Sequence, residues 1–198
     1  MAVRPVLIWP DPTLARRAQE VTAFDASVAT LVADLFDTMY AEDGVGLAAN
    51  QVGDLRRVLV LDLDPKKYAT KEPEIAEELR ATGWRGPLAL VNPVIEAASG
   101  NIVWEEGCLS VPGITDRVRR KAEIRVAAVD AQGRPQTHTC RGLFAVAVQH
   151  EMDHLDGRVF VEYLSPLKRD VIRGKMRNLR QAGHDAAREL RQRTPNEL

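Results

Sequence analysis

The stretch "GLFAVAVQHEMDHLDG", Gly142 to Gly157, constrains this chain more than any other. Its first half is apolar on nearly every side, so as a helix it has no face to offer water and has to be buried. Gly157 stands where a helix C-terminal cap belongs. The fold must therefore wrap its other elements around a central helix. That helix also carries His150, Glu151 and His154 in an H-E-x-x-H arrangement. Two histidines four apart on a helix point the same way, one turn above the other. Polar groups on a buried helix need partners. A metal ion would satisfy both imidazoles and leave the glutamate placed as a base. The bland alternative is a pair of hydrogen-bonded core histidines beside a buried acid.

The segments that supply the wrapping can be read from periodicity. In "TAFDASVATLVADLFDTMYAEDGVG", Val28, Leu31, Val32, Leu35 and Met39 recur at the three-four spacing of one buried helix face, with Asp25 as N-cap and Gly44 ending the pattern. "RRVLVLDLD", with Val58, Val60 and Leu61, reads as a strand, as do "PLALVNPVIEA" and "AEIRVAAVDAQGRPQTHTC"; in the last, "DAQGRP" makes a hairpin turn. Asp64 to Pro87 is charged and polar, with a short helical piece after Pro73, and reads as a surface insertion. "LSPLKRDVIRGKMRNLRQ" begins a final helix, with Ser165 as N-cap, Pro166 at its first position and Leu167, Val171, Ile172, Met176 and Leu179 as its inner stripe. Strands joined as hairpins, without alternating helices, give an α+β fold. The expectation is antiparallel β-sheets packed around the buried H-E-x-x-H helix, with an N-terminal helix and a C-terminal helix. Residues 1–198 are expected to form one domain, with the insertion at about 64–87 and the basic helix from about 165.

Composition narrows the class. Hydrophobic content of 45% and charged content of 28% are ordinary for a globular protein, and the net charge of -1 gives no whole-chain field toward nucleic acid or membrane. No run approaches the about 18 apolar residues of a membrane helix. "MAVRPVLIWPDP" has no apolar core of signal-peptide length. With only two cysteines, Cys108 and Cys140, the chain is expected in the reducing cytoplasm with free thiols. From Leu164 to Leu198 there are nine Lys and Arg against four Asp and Glu. Such a run reads first as a solvated helix face.

A catalytic metal site needs a third ligand, and the usual H-E-x-x-H patterns do not supply it. Gly157 fits the metzincin continuation, but Phe160 stands where its histidine belongs. A downstream glutamate ligand is no better served by Glu162 or Glu189. His138 and His184 read as structural or surface residues, and Cys140 as a packed thiol. Cys108, within "WEEGCLSVPG", is by its type more often a small buried hydrophobe than a ligand. "GVGLAANQ", Gly44 to Gln51, reads by itself as a helix-to-strand turn whose small residues allow close backbone approach.

Together, and in this order, "GVGLAANQ", "EGCLS" and "QHEMDHLDG" resemble the three signature motifs of peptide deformylases. The resemblance runs from "DPTL" to "YLSPLK" and takes in "NPVI" and "SVPGI". It implies that Cys108 joins His150 and His154 as metal ligands. It implies ferrous iron (Fe2+), with zinc, nickel or cobalt as substitutes. It further implies removal of the formyl group from the N-terminal formylmethionine of new polypeptides. Glu151 would move the proton, and Gln51 and the backbone N–H of Leu109 would stabilise the formyl oxygen. Gly46 and its neighbours would form a close wall, Val45, Leu143, Val146 and Ala147 the slot for a methionine side chain, and Gly107 would also bind the substrate. The Asp64–Pro87 insertion departs from compact members of the family. Which of Arg117, Arg119 and Arg120 would reach a substrate is left open. The expected partners are N-formylmethionyl peptides and nascent chains. Contact between ribosomal phosphate and Lys168, Arg169, Arg173, Lys175, Arg177 and Arg180 competes with the solvated-face reading. Two rival readings remain at this point, an H-E-x-x-H endopeptidase and a structural metal domain with an RNA-binding tail.

Overall fold

The structure is a computed structural model and describes residues 2–70, 72–82, 84 and 86–193. Helix α1 (Ala26–Ala41) starts at Asp25, whose carboxylate accepts the Ser27 N–H at 2.8 Å. It leads into the short strand β1 (Gly46–Ala48), a 3-10 turn over Ala49–Val52 and strand β2 (Val58–Leu61). Helices α2 (Pro65–Tyr68) and α3 (Pro73–Ala81) follow, then strands β3 (Leu88–Ser99), β4 (Ile102–Glu106), β5 (Asp116–Arg120), β6 (Glu123–Val129) and β7 (Pro135–Arg141). Helix α4 (Gly142–Leu155) carries the histidines, and α5 (Pro166–Ala182) and α6 (His184–Arg193) end the described chain. Five strands form one antiparallel sheet in the order β1-β2-β3-β6-β7, and β4 pairs with β5 in a second.

Every residue of α4 except Gln149 is buried. The large sheet has a helix on each side, and β2 shows how. Val58 and Val60 pack with Leu31 and Leu35 of α1, while Leu59 and Leu61 pack with Leu143 and Ala147 of α4. All four β2 residues are therefore buried. Full burial of each such side chain contributes about 1.5–3 kcal/mol. The hairpin expected at "DAQGRP" joins β6 to β7, closed by the Asp130 N–H on the Arg134 carbonyl at 2.9 Å.

Two expectations need correction. The segment read as a surface insertion holds α2 and α3, and α3 buries Ala76 and Leu79 in the cluster that surrounds α4. Its Glu78 carboxylate occupies the space that a Cβ would need at Gly142, whose φ is +50°. The C-terminal region is two helices rather than one. In α5 only Ile172 and Met176 of the expected stripe are buried; Leu167 is 77% exposed and Val171 54%. The first turn of α5 is held by charge instead, through Lys168 to Asp116 at 2.5 Å. Among the described residues, no helix is long and apolar enough to cross a membrane.

Candidate active site

The helical repeat of α4 sets the His150 and His154 rings edge to face with centroids 5.0 Å apart. Cys108, just beyond the end of β4, meets them. Its Sγ lies 3.2 Å from His154 Nε2, and the ligand atoms of all three residues lie within 4.8 Å of one another. All three are buried, at 1–3% exposure. Three buried soft and borderline donors gathered this closely fit a divalent transition metal. The His138 side chain is elsewhere, bonded to Gln136 and against Phe144. The His184 side chain lies outside the described residues. Cys140 is a buried, free thiol that burial pushes up to about 12, which suits a packed residue.

Around the donors is a set of polar residues that sequence reasoning missed. His150 Nδ1 donates to Glu106 Oε2 at 2.8 Å, which leaves Nε2 to face the cluster. Glu106 is fully buried and takes Arg120 Nε and Nη2 at 2.6 and 2.9 Å. Arg120 also reaches Asp153 on α4 and stacks over the Tyr163 ring at 4.9 Å. Burial would raise the Glu106 carboxyl, but Arg120 and His150 hold it down at about 2. Burial likewise works against a charged His150, yet its contacts with Cys108 and Glu106 keep it well above the usual histidine range. His154 is held well below that range by burial first and by His150 second. The question of the three arginines is thus answered for one. Arg120 is locked in ion pairs, whereas Arg117 and Arg119 are exposed on β5. A signal for the pair existed. Ile102, Trp104 and Glu106 share one face of β4, and an acid on an inward face calls for an inward cation.

Glu151 is 2% exposed, one of its oxygens has no hydrogen-bond partner among the described residues, and burial pushes its carboxyl up to about 7. Gly46 approaches it so closely that a Cβ there would lie 2.5 Å from Glu151 Oε1 and 2.9 Å from a Leu61 methyl. Gln51 is held at both ends of its amide. Its Oε1 accepts the Ala48 N–H at 2.8 Å, and its Nε2 donates to Ser110 Oγ at 3.2 Å and lies 3.7 Å from Cys108 Sγ. The Leu109 N–H has no acceptor among the described residues. Gly107 is buried between Glu106 and Cys108. Leu143, Val146 and Ala147 are buried on α4, and Val45 and Trp104 pack partly buried against the same cluster.

The sequence profile of the polypeptide deformylase family matches residues 3–170. This chain belongs to that family. It is 45% identical to peptide deformylase of Alkalilimnicola ehrlichii over 183 residues, 92% of this chain and 94% of that protein. It is 46% identical to peptide deformylase 1 of Burkholderia multivorans, over 92% of each. A peptide deformylase structure from Legionella pneumophila superposes with a TM-score of 0.77 at 40% identity, covering 91% of this chain and 97% of that one. One from Ehrlichia chaffeensis in complex with actinonin gives 0.79 at 37% identity, covering 90% and 98%. Deformylases are metal-dependent hydrolases that remove N-terminal formyl groups from nascent peptides. Among the described residues, the Cys108, His150 and His154 cluster is the group that could hold such a metal.

Proposed function

We propose that residues 1–198 act as one catalytic domain, with the 64–87 segment packed in part against α4 and a basic C-terminal region from about 165 that holds α5 and α6, and that this domain carries out deformylation with the following division of labour. Antiparallel sheets hold α4 at the centre, and Cys108, His150 and His154 hold one Fe2+, for which Zn2+, Ni2+ or Co2+ can substitute. When bound, the ion supplies Lewis acidity, lowering the pKa of water and polarising a carbonyl. Glu151 takes the proton of the attacking water and hands it to the leaving nitrogen. The Gln51 amide and the Leu109 N–H donate to the formyl oxygen as negative charge develops there. Gly46 and Gly107 form the close wall, which admits a formyl carbon bearing only hydrogen and excludes bulkier acyl groups. Val45, Leu143, Val146 and Ala147 receive the methionine side chain.

The observation that carries this reading is the convergence of three buried donors beside a buried, half-unpartnered carboxylate. Purification under anaerobic conditions with metal analysis, followed by formate release from a formyl-Met peptide, tests it. One metal per chain and one formate per peptide are expected. Cleavage of unformylated peptides without formate release would instead identify an endopeptidase. The two free thiols and the nascent-chain substrate support a cytoplasmic location. The exposed Lys175 and Arg177 of α5, which have no acidic partner among the described residues, support a contact with ribosomal phosphate that salt-dependent co-sedimentation tests.

A further inference from the structure

The final helix contributes none of the residues given a role in deformylation above, yet it packs against the segment that carries Cys108. Ala187 of α6 is fully buried in the cluster that holds Cys108, Val111, Val118 and Phe160. Leu190 lies 3.2 Å from where a Cβ would project at Gly113, in the turn that follows the Cys108 segment. Beside it, Arg191 is only 2% exposed. Its Nε donates to Glu42 Oε2 at 2.6 Å and its Nη1 to the Leu109 carbonyl at 3.2 Å. Glu42 is 5% exposed and is the C-cap of α1, two residues before Gly44. Its other oxygen lies 4.0 Å from Arg188 of the same final helix. One guanidinium thus joins the approach to Gly46 with the segment that follows Cys108.

The carbonyls of that segment show what Arg191 does there. The Cys108 carbonyl accepts the Val111 N–H at 2.8 Å, and the Ser110 carbonyl accepts the Trp9 N–H at 2.9 Å. Between them, the Leu109 carbonyl is held, among the described residues, by Arg191 alone. A buried carbonyl without a donor is costly, so removing Arg191 would turn this peptide toward another partner or toward water. The carbonyl and the N–H of Leu109 lie in different peptide planes that meet at its Cα, so a shift of the carbonyl acts on the N–H by displacing that Cα.

We propose that Arg191 is a positioning residue for deformylation. By holding the Glu42 carboxylate and the Leu109 carbonyl together, it sets the direction of the Leu109 N–H and the spacing between the Gly46 wall and Cys108. The inference rests on the reading of that N–H as a donor to the formyl oxygen. A guanidinium presents several donors in a rigid fork and can serve both acceptors; an ammonium at this position can pair with Glu42 but cannot span to the carbonyl.

Two full-length variants separate positioning from plain stability. Arg191→Lys keeps the buried charge pair. The double variant Glu42→Gln with Arg191→Met removes both charges and so leaves no unpaired buried ion. Each is assayed for kcat and KM at a temperature where circular dichroism shows it folded. Exchange of the Leu109 amide hydrogen is followed by NMR on the zinc-loaded protein. In both variants kcat should fall about tenfold with KM little changed, since an ångström of misplacement costs up to about a hundredfold. The Leu109 amide should exchange faster, while amides of α4 stay as they are. Unchanged Leu109 exchange overturns the positioning role. Faster exchange with wild-type kcat overturns the reading of the Leu109 N–H on which it rests.

Discussion

Glu151 is one residue from His150 but faces a different neighbour because of its angle on α4. The two histidines, four apart, share the edge that faces Cys108, and Glu151 turns toward Gly46. Its burial without a full set of partners raises its carboxyl toward neutrality, the range in which a group both accepts and returns a proton. Glu151→Gln keeps the size and the hydrogen bonding but cannot accept that proton. Turnover should fall by at least about 10²-fold while metal content is unchanged, checked by formate release beside metal analysis. Loss of the metal would make Glu151 a ligand, and near-normal turnover would assign the proton to another group. At this scale, spacing put His150 and His154 on one edge and Glu151 beside them. Cys108 needed the family resemblance, because a buried free cysteine looks the same in sequence whether it binds metal or packs, as Cys140 does.

Among the elements, α4 and α5 show when periodicity can be trusted. In α4 the apolar residues go all the way round, so no rotation of the helix leaves them in water, and burial follows whatever the neighbours are. In α5 the apolar stripe is one-sided and the helix outruns the core. Ile172 and Met176 meet the cluster around Phe160, but Leu167 and Val171 lie at the end where nothing covers them. Charge was equally hard to read. Lys168, Arg173 and Arg180 have acidic partners within the chain, at Asp116, Asp170 and Asp11, which leaves fewer free cations than the composition suggests. If Lys175 and Arg177 are a ribosome contact, reversing both to Glu should lower co-sedimentation with ribosomes at low salt and flatten its salt dependence. Equal binding by the reversed and native chains would return α5 to a solvated face.

Across the whole molecule, the Glu106–Arg120–Asp153 network ties β4, β5 and α4 into one unit behind the metal site. It makes the fold sensitive to acid. Glu106 titrates at about 2 in the native chain against an ordinary 4.5, so the unfolded chain binds the proton more readily. The stabilisation it gives is present above the ordinary value and is lost as pH falls from there toward 2. Urea unfolding between about pH 6 and about pH 3 should show this loss, and Glu106→Gln should flatten the slope. An equally steep slope in the variant would place the acid sensitivity elsewhere. The features legible in the sequence are local: that α4 must be interior, that His150 and His154 share a face, that Asp25 caps α1, and that "DAQGRP" turns a hairpin. Each follows from a repeat or a turn within a few residues. Only the tertiary structure decided that β2 is covered on both faces, that Arg120 rather than Arg117 or Arg119 is the interior cation, and that Arg191 reaches Glu42 and Leu109. The chain has 27 Lys and Arg and 28 Asp and Glu. Like charges are interchangeable along a sequence, and the choice among them is made by distance in space.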